Sequence, residues 1–142
     1  MSDYEIHVAD EVRAQDRETI SAGLTEHALP VTGVPGFQPL SAMARDGRGV
    51  LVGGVIASVN WTWLHVALVW VSASHRRTGL GRRLMQEIER AAVARGCTHA
   101  HLDTFSYQAR PFYERLGYRL FATLADYPPG HQRFFLEKDL GR

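Results

Sequence analysis

Four arginines, Arg76, Arg77, Arg82 and Arg83, fall within eight residues and frame two glycines, Gly79 and Gly81. That grouping suits one small, multiply charged anion. Backbone N–H groups at the start of a helix have no partners inside it, and the helix dipole adds partial positive charge there. Glycine lets a phosphate approach the main chain closely, and guanidinium groups add charge-assisted hydrogen bonds. The segment therefore predicts a diphosphate site made by Arg76, Arg77, Thr78, Gly79, Leu80, Gly81 and Arg82. Two other nucleotide motifs do not fit. No Gly-x-x-x-x-Gly-Lys-Ser/Thr run exists, and Gly-x-Gly-x-x-Gly would need glycine where Leu84 stands. A plain helix start with small residues and solvated arginines has the same composition, so glycine spacing alone does not decide.

The elements that must position this turn follow from periodicity. An apolar run over residues 64–71 precedes it and reads as a central strand buried on both faces. Residues 80–95 follow, with Leu80, Leu84, Ile88, Ala91 and Ala92 on one helical face and Gly96 as the stop. Residues 98–105 form the next strand, so 64–105 is a strand–helix–strand unit with a right-handed parallel crossover. Upstream, residues 4–9 alternate as a first strand, and Asp10 caps a helix running to about Glu26. Residues 28–39 hold three prolines and two glycines and read as a long ordered loop or a broken helix. Residues 40–45 and 50–60 pair across an Asp46-Gly47-Arg48-Gly49 turn, and Gly53-Gly54 marks a bulge or a close backbone approach. Downstream, residues 109–116 make a short helix stopped by Gly117. Residues 118–124 and 133–138 make a closing pair of strands.

Composition bounds the rest. With 142 residues, 45% hydrophobic and 22% charged, the chain suits one globular domain, 1–142. The formal net charge of +1 excludes a general nucleic-acid binder with an all-basic surface. A single cysteine, Cys97, gives no intramolecular disulfide framework and fits a reducing cytoplasm. The start of the chain shows no signal peptide, and the run over 64–71 is too short to span a bilayer. The expectation is a cytoplasmic protein without membrane or nucleic-acid partners.

Two ordered motifs then become specific. Arg76-x-x-Gly79-x-Gly81 after an apolar strand resembles the Arg/Gln-x-x-Gly-x-Gly/Ala motif of the GNAT superfamily of N-acetyltransferases. Ala109-Arg-Pro-Phe112-Tyr113-Glu-Arg-Leu-Gly117-Tyr118 resembles that family's C-terminal Ala-x-x-Phe-Tyr-x-x-x-Gly-Phe/Tyr segment. The likeness covers residues 50–136; the first 45 match only in their order of elements. Leu68-Val-Trp-Val71 and Asp126-Tyr-Pro-Pro-Gly-His131 are similar to a small bacterial branch. The resemblance implies an α/β (α+β) single-domain fold, a mixed and mostly antiparallel sheet with helices on both faces. Its central parallel strands would splay to bind coenzyme A. It implies acetyl-CoA as cosubstrate, an amine on a small molecule or peptide as acceptor, no metal, and a possible homodimer.

By the same resemblance, the main chain at Trp70 and Val71 pairs with the pantetheine arm and polarises the thioester carbonyl. Tyr113 stands where the family carries its general-acid tyrosine. Ser106 stands where many relatives have asparagine, and its shorter reach weakens that contact. His65 lies on the strand where some members place a catalytic base. Its ordinary pKa near 6.5 suits proton removal at neutral pH. Removing a proton from an alkyl ammonium costs roughly 4–5 kcal/mol at neutral pH, so a base is worth having. His131, Asp126 and Tyr127, or Glu26 and His27, are substitutes that could line the acceptor pocket. Trp61, Trp63, Phe37 and Tyr127 suit an aromatic-lined pocket or core packing equally.

Other classes are weaker. Cys97, His99, His101 and Asp103 share one strand face, but alternate residues lie about 6–7 Å apart and rarely meet one metal ion. Nothing in the sequence lowers the pKa of Cys97 for nucleophilic work, and a buried core thiol is the plainer reading. A non-catalytic sensor that binds a coenzyme-A ester through the same turn is the serious rival.

Overall fold

A computed structural model describes residues 3–141. The chain divides into two compact units, one ending at Pro35 and one beginning at Gly36. In the first, α1 (Ala14–Thr32) is the regular element, and it buries no residue. It starts three residues later than Asp10 would place it, because the N-cap is Arg13 in extended conformation. It also runs through Pro30 to a left-handed Gly33, whose N–H donates to Leu29 O at 2.8 Å. The expected loop is thus helical as far as Thr32. Pro30 has no N–H to donate to Glu26 O, so the helix passes it with one bond fewer just before its end. Residues 4–9 form no strand. Their alternation leaves Tyr4, Ile6 and Val8 at 82%, 88% and 99% exposure, and a strand exists only when a neighbour takes its hydrogen bonds.

The second unit is a six-stranded sheet in the order β1-β2-β3-β4-β6-β5. The strands are β1 (Gln38–Arg45), β2 (Leu51–Asn60), β3 (Trp63–Val71), β4 (His99–Phe105), β5 (Arg119–Ala125) and β6 (Gln132–Asp139). All pairings are antiparallel except β3 with β4, which are parallel and joined through α2 (Leu80–Ala94). α3 (Arg110–Arg115) follows β4. The core gathers Val55, Leu64, Val66, Leu84, Met85, Ile88, Ala100, Leu102 and Leu136, with Phe112 and Tyr113 of α3 packed against it. Gly53 is the close approach the sequence suggested. A Cβ there would meet Leu84 at 3.1 Å and Trp70 O at 3.2 Å, so α2 lies against bare backbone. No helix among the described residues is long and apolar enough to cross a membrane.

β3 departs from expectation in a useful way. It is not buried on both faces along its length: Leu64 and Val66 are, but Leu68 is 63% and Trp70 49% exposed. Pairing with β2 runs Ala57 with Val66 and then Ile56 with Leu68, so Ala67 is an extra, bulged residue. A bulge bends its strand and inverts the alternation beyond it. Val69 and Val71 therefore continue the core side, while Leu68 and Trp70 join the outer side with Trp63 and His65. Pairing of β3 with β4 ends at Val66 and Leu102, directly before the bulge. Beyond that point the two strands part.

Candidate active site

The fork between β3 and β4 is a cleft of about 630 Å³, lined among others by Trp70, Val71, Arg76, Asp103, Gln108 and Tyr113. Hydrogen bonding fixes which main-chain groups face it. The Ser72 N–H donates to Val52 O of β2 at 2.8 Å, so alternation turns the groups of Trp70 toward β2 and those of Val69 and Val71 toward the fork. Arg76 Nε donates to Val71 O at 3.1 Å from that open side. The main chain of Val69, rather than that of Trp70, is thus turned to the fork, and Trp70 is among the residues that line the cleft. Sequence reading missed Val69 because the bulge that sets this phase leaves no mark in composition.

From β3 the chain passes through a 3₁₀ turn, Ala73–His75, into α2. The Ser72 and Ser74 hydroxyls sit 2.8 and 3.1 Å from His75 Nδ1, and Thr78 Oγ1 donates to His75 O at 2.5 Å. Arg77 and Gly79 take left-handed φ of 62° and 85°. Gly79 is the N-cap and offers no side-chain acceptor, and a Cβ on it would meet nothing within 4 Å. The start of α2 is therefore open, with N–H donors uncapped by side chains. Gly81 has a different reason for being glycine: a Cβ would lie 3.3 Å from the Phe112 ring and 3.6 Å from Val71. It lets α3 close on α2. Arg77 and Arg82 are exposed, whereas Thr78 and Leu80 line a separate cavity of about 740 Å³ with Ala42, Arg83 and Glu87.

Tyr113 reaches the cleft from α3, edge-on to Phe112 at 5.1 Å and to Tyr118 at 6.1 Å. Burial, with the nearby Asp103 carboxylate, pushes its phenol up to about 12. Tyr118 is raised too, by burial and by Glu89, to which it donates at 2.9 Å. Glu89 also takes Lys138 Nζ at 2.7 Å.

His65 is not among the residues lining the cleft. Its ring stacks on His101 at 4.6 Å, and Trp63 stacks on His99 at 4.7 Å, following the parallel register of β3 and β4. Burial, then His65, hold His101 below the ordinary histidine value. Asp103, next on that face of β4, does line the cleft and accepts from Arg133 Nε at 2.8 Å. Ser106 also lies outside the lining. Its hydroxyl accepts from the Gln132 N–H at 3.0 Å and sits 3.2 Å from His131 Nδ1, pinning the loop before β6. Gln108 takes the cleft position instead, accepting from Phe105 N–H and Thr104 Oγ1 at 3.1 Å. Tyr127 accepts from Arg133 Nη1 at 2.8 Å. Burial raises the Cys97 thiol, which opposes a nucleophilic role.

The acetyltransferase (GNAT) family profile matches residues 9–118. Blasticidin-S acetyltransferase of Streptomyces morookaense is 44% identical over 117 residues, covering 80% of this chain and 86% of that protein. Among solved structures, an acetyltransferase from Bacillus cereus is similar at a TM-score of 0.82 and 31% identity, covering 94% of this chain and 97% of the other. One from Agrobacterium tumefaciens has a TM-score of 0.88 and 26% identity, covering 96% and 99%.

Proposed function

Because this chain belongs to the GNAT acetyltransferase family, we propose that it moves an acetyl group from acetyl-CoA to a primary amine in the fork between β3 and β4. The observation that carries this reading is the fork itself. A bulge at Ala67 ends the strand pairing and leaves the edge of Val69 and Val71 facing a cleft that Tyr113 and Arg76 also line. The open start of α2, with Gly79 bare, fits a diphosphate next to that edge. Arg76, Arg77, Thr78, Gly79, Leu80, Gly81 and Arg82 would hold it by main chain and charge, with Gln108 taking the contact once expected of Ser106. Acetyl-CoA supplies an activated acyl group on a good leaving thiol.

The chain's own groups then divide the work. N–H groups of Val69 and Val71 are placed to polarise a carbonyl lying along the strand edge. Tyr113 is the proton donor to the departing sulfur. Its high pKa keeps it protonated at every working pH, and transfer to a thiolate with an ordinary pKa near 8.5 is uphill in water. The phenol therefore acts mainly as a hydrogen-bond donor to developing charge, strengthened by its own burial. We assign proton removal to the stacked pair His65 and His101. The half-buried His101, held below the ordinary histidine value by burial and by His65, stays neutral and able to accept a proton.

The test is thiol release from acetyl-CoA with a panel of primary amines, including blasticidin S because a relative is named for it. Amine-dependent release, with the acetyl group found on nitrogen by mass spectrometry, supports the reading. Binding of acetyl-CoA without transfer to any amine would favour a sensor.

A further inference from the structure

The cleft carries two charged side chains among its described lining residues, Arg76 and Asp103. Asp103 follows Leu102, the last residue of β4 paired with β3, so it sits at the apex of the fork. Arg76 lies beyond the end of β3, at the outlet where the diphosphate site begins. We propose that Asp103 is the specificity-determining carboxylate of the acceptor site, and that the acceptor carries a second cationic group besides the amine that is acetylated. The inference rests on the reading of the fork as the acetyl-transfer site.

Three features support it. The Asp103 side chain is only 22% exposed, and one oxygen accepts from Arg133 Nε at 2.8 Å. Its other oxygen has no protein donor among the described residues, so it remains available to a ligand. Arg133 is itself fixed: Nη1 donates to Tyr127 Oη at 2.8 Å, and the guanidinium lies 4.9 Å from the Tyr127 ring, 5.2 Å from Phe135 and 5.6 Å from Phe105. The carboxylate is thus held rigid. Two aromatic rings 5.3 Å apart, Phe105 and Tyr107, line the cleft with it. Aromatic faces next to a carboxylate favour an organic cation over an anionic or neutral group.

Charge logic separates the two nitrogens of such an acceptor. A carboxylate on the reacting ammonium would stabilise its charged form and oppose the deprotonation that attack requires. Asp103 therefore holds the other cation and delivers the free amine by position.

Matched primary amines test this: n-butylamine with one nitrogen, and 1,4-diaminobutane and agmatine with a second cationic group. Wild-type protein should show kcat/KM about tenfold or more higher for the two dications, the scale of one charge-assisted hydrogen bond. In Asp103→Asn that preference should collapse toward unity. The double variant Asp103→Asn with Arg133→Gln, which leaves no stranded guanidinium, should show the same loss if the single variant folds poorly. A wild type without preference for dications, or variants that retain the preference, would overturn the proposal. Failure of wild-type protein to bind acetyl-CoA in calorimetry would instead contradict the site reading beneath it.

Discussion

At the scale of single residues, the phenol of Tyr113 and the imidazole of His101 are shifted in ways that make opposite predictions. Burial moves Tyr113 from 10 to about 12. Its neutral form is favoured in the folded chain, so its stabilisation is whole below pH 10 and is lost as pH climbs toward about 12. Tyr113→Phe should flatten the fall in denaturation midpoint over that range; an unchanged slope would refute the burial argument. The same variant should lower kcat by about a hundredfold, the usual scale for a lost acid, with acetyl-CoA affinity little altered. An unaltered rate would remove Tyr113 from the chemistry. His101 is lowered below 6.5 by burial and by His65, so the unfolded chain takes its proton first. Stability should therefore fall as pH drops below 6.5, and His101→Gln should blunt that acid loss, measured by urea titration at several pH values. These shifts were invisible in the sequence, where Tyr113 was placed by motif and His65 by strand position. What stacks on what depended on parallel register, and only the fold supplied that.

At the scale of elements, the turn into α2 and the bulge in β3 carry the design. Gly79 sits at φ 85°, which costs a residue with a Cβ about 1–2 kcal/mol, while asparagine tolerates it better. Gly79→Ala should lower stability by about that much and Gly79→Asn by less, read from denaturation midpoints; equal losses would contradict a conformational role. Deleting Ala67 should remove the bulge while leaving Leu68 opposite Ile56 and every side chain on its present face, so β3 straightens and can continue pairing with β4 past Val66. We expect the fold to be retained in thermal melting but acetyl-CoA binding to be lost in calorimetry, and wild-type affinity would contradict the account of the fork. Strand and helix order from residue 40 onward was readable because alternation and the 3.6-residue stripe of α2 are strong local signals. Over residues 4–39 only the body of α1 was readable, because Pro30 reads as a breaker and the alternation at 4–9 does not tell whether any strand pairs with it. Arg76, Gly79 and Tyr113 were found through motif; Gln108, Asp103 and Val69 were hidden because a lone glutamine, an ion pair and a backbone phase leave no spacing rule.

At the scale of the whole molecule, three pieces combine into one site: strands that part, a helix start left bare, and a phenol held protonated between them. A chain with net charge +1 concentrates its binding charge at one turn rather than spreading it over a surface. A ligand that binds only the folded state stabilises it by about 2.7 kcal/mol at a hundred times its Kd, so acetyl-CoA should raise the melting temperature by several degrees. The most direct measurement is calorimetric titration of acetyl-CoA into wild-type protein and Gly79→Glu, with Gly79→Asn as the backbone control. The account predicts binding by wild type, binding retained within about an order of magnitude by Gly79→Asn, and none by the folded Gly79→Glu, whose carboxylate would face the diphosphate. Equal affinity of wild type and Gly79→Glu would contradict it.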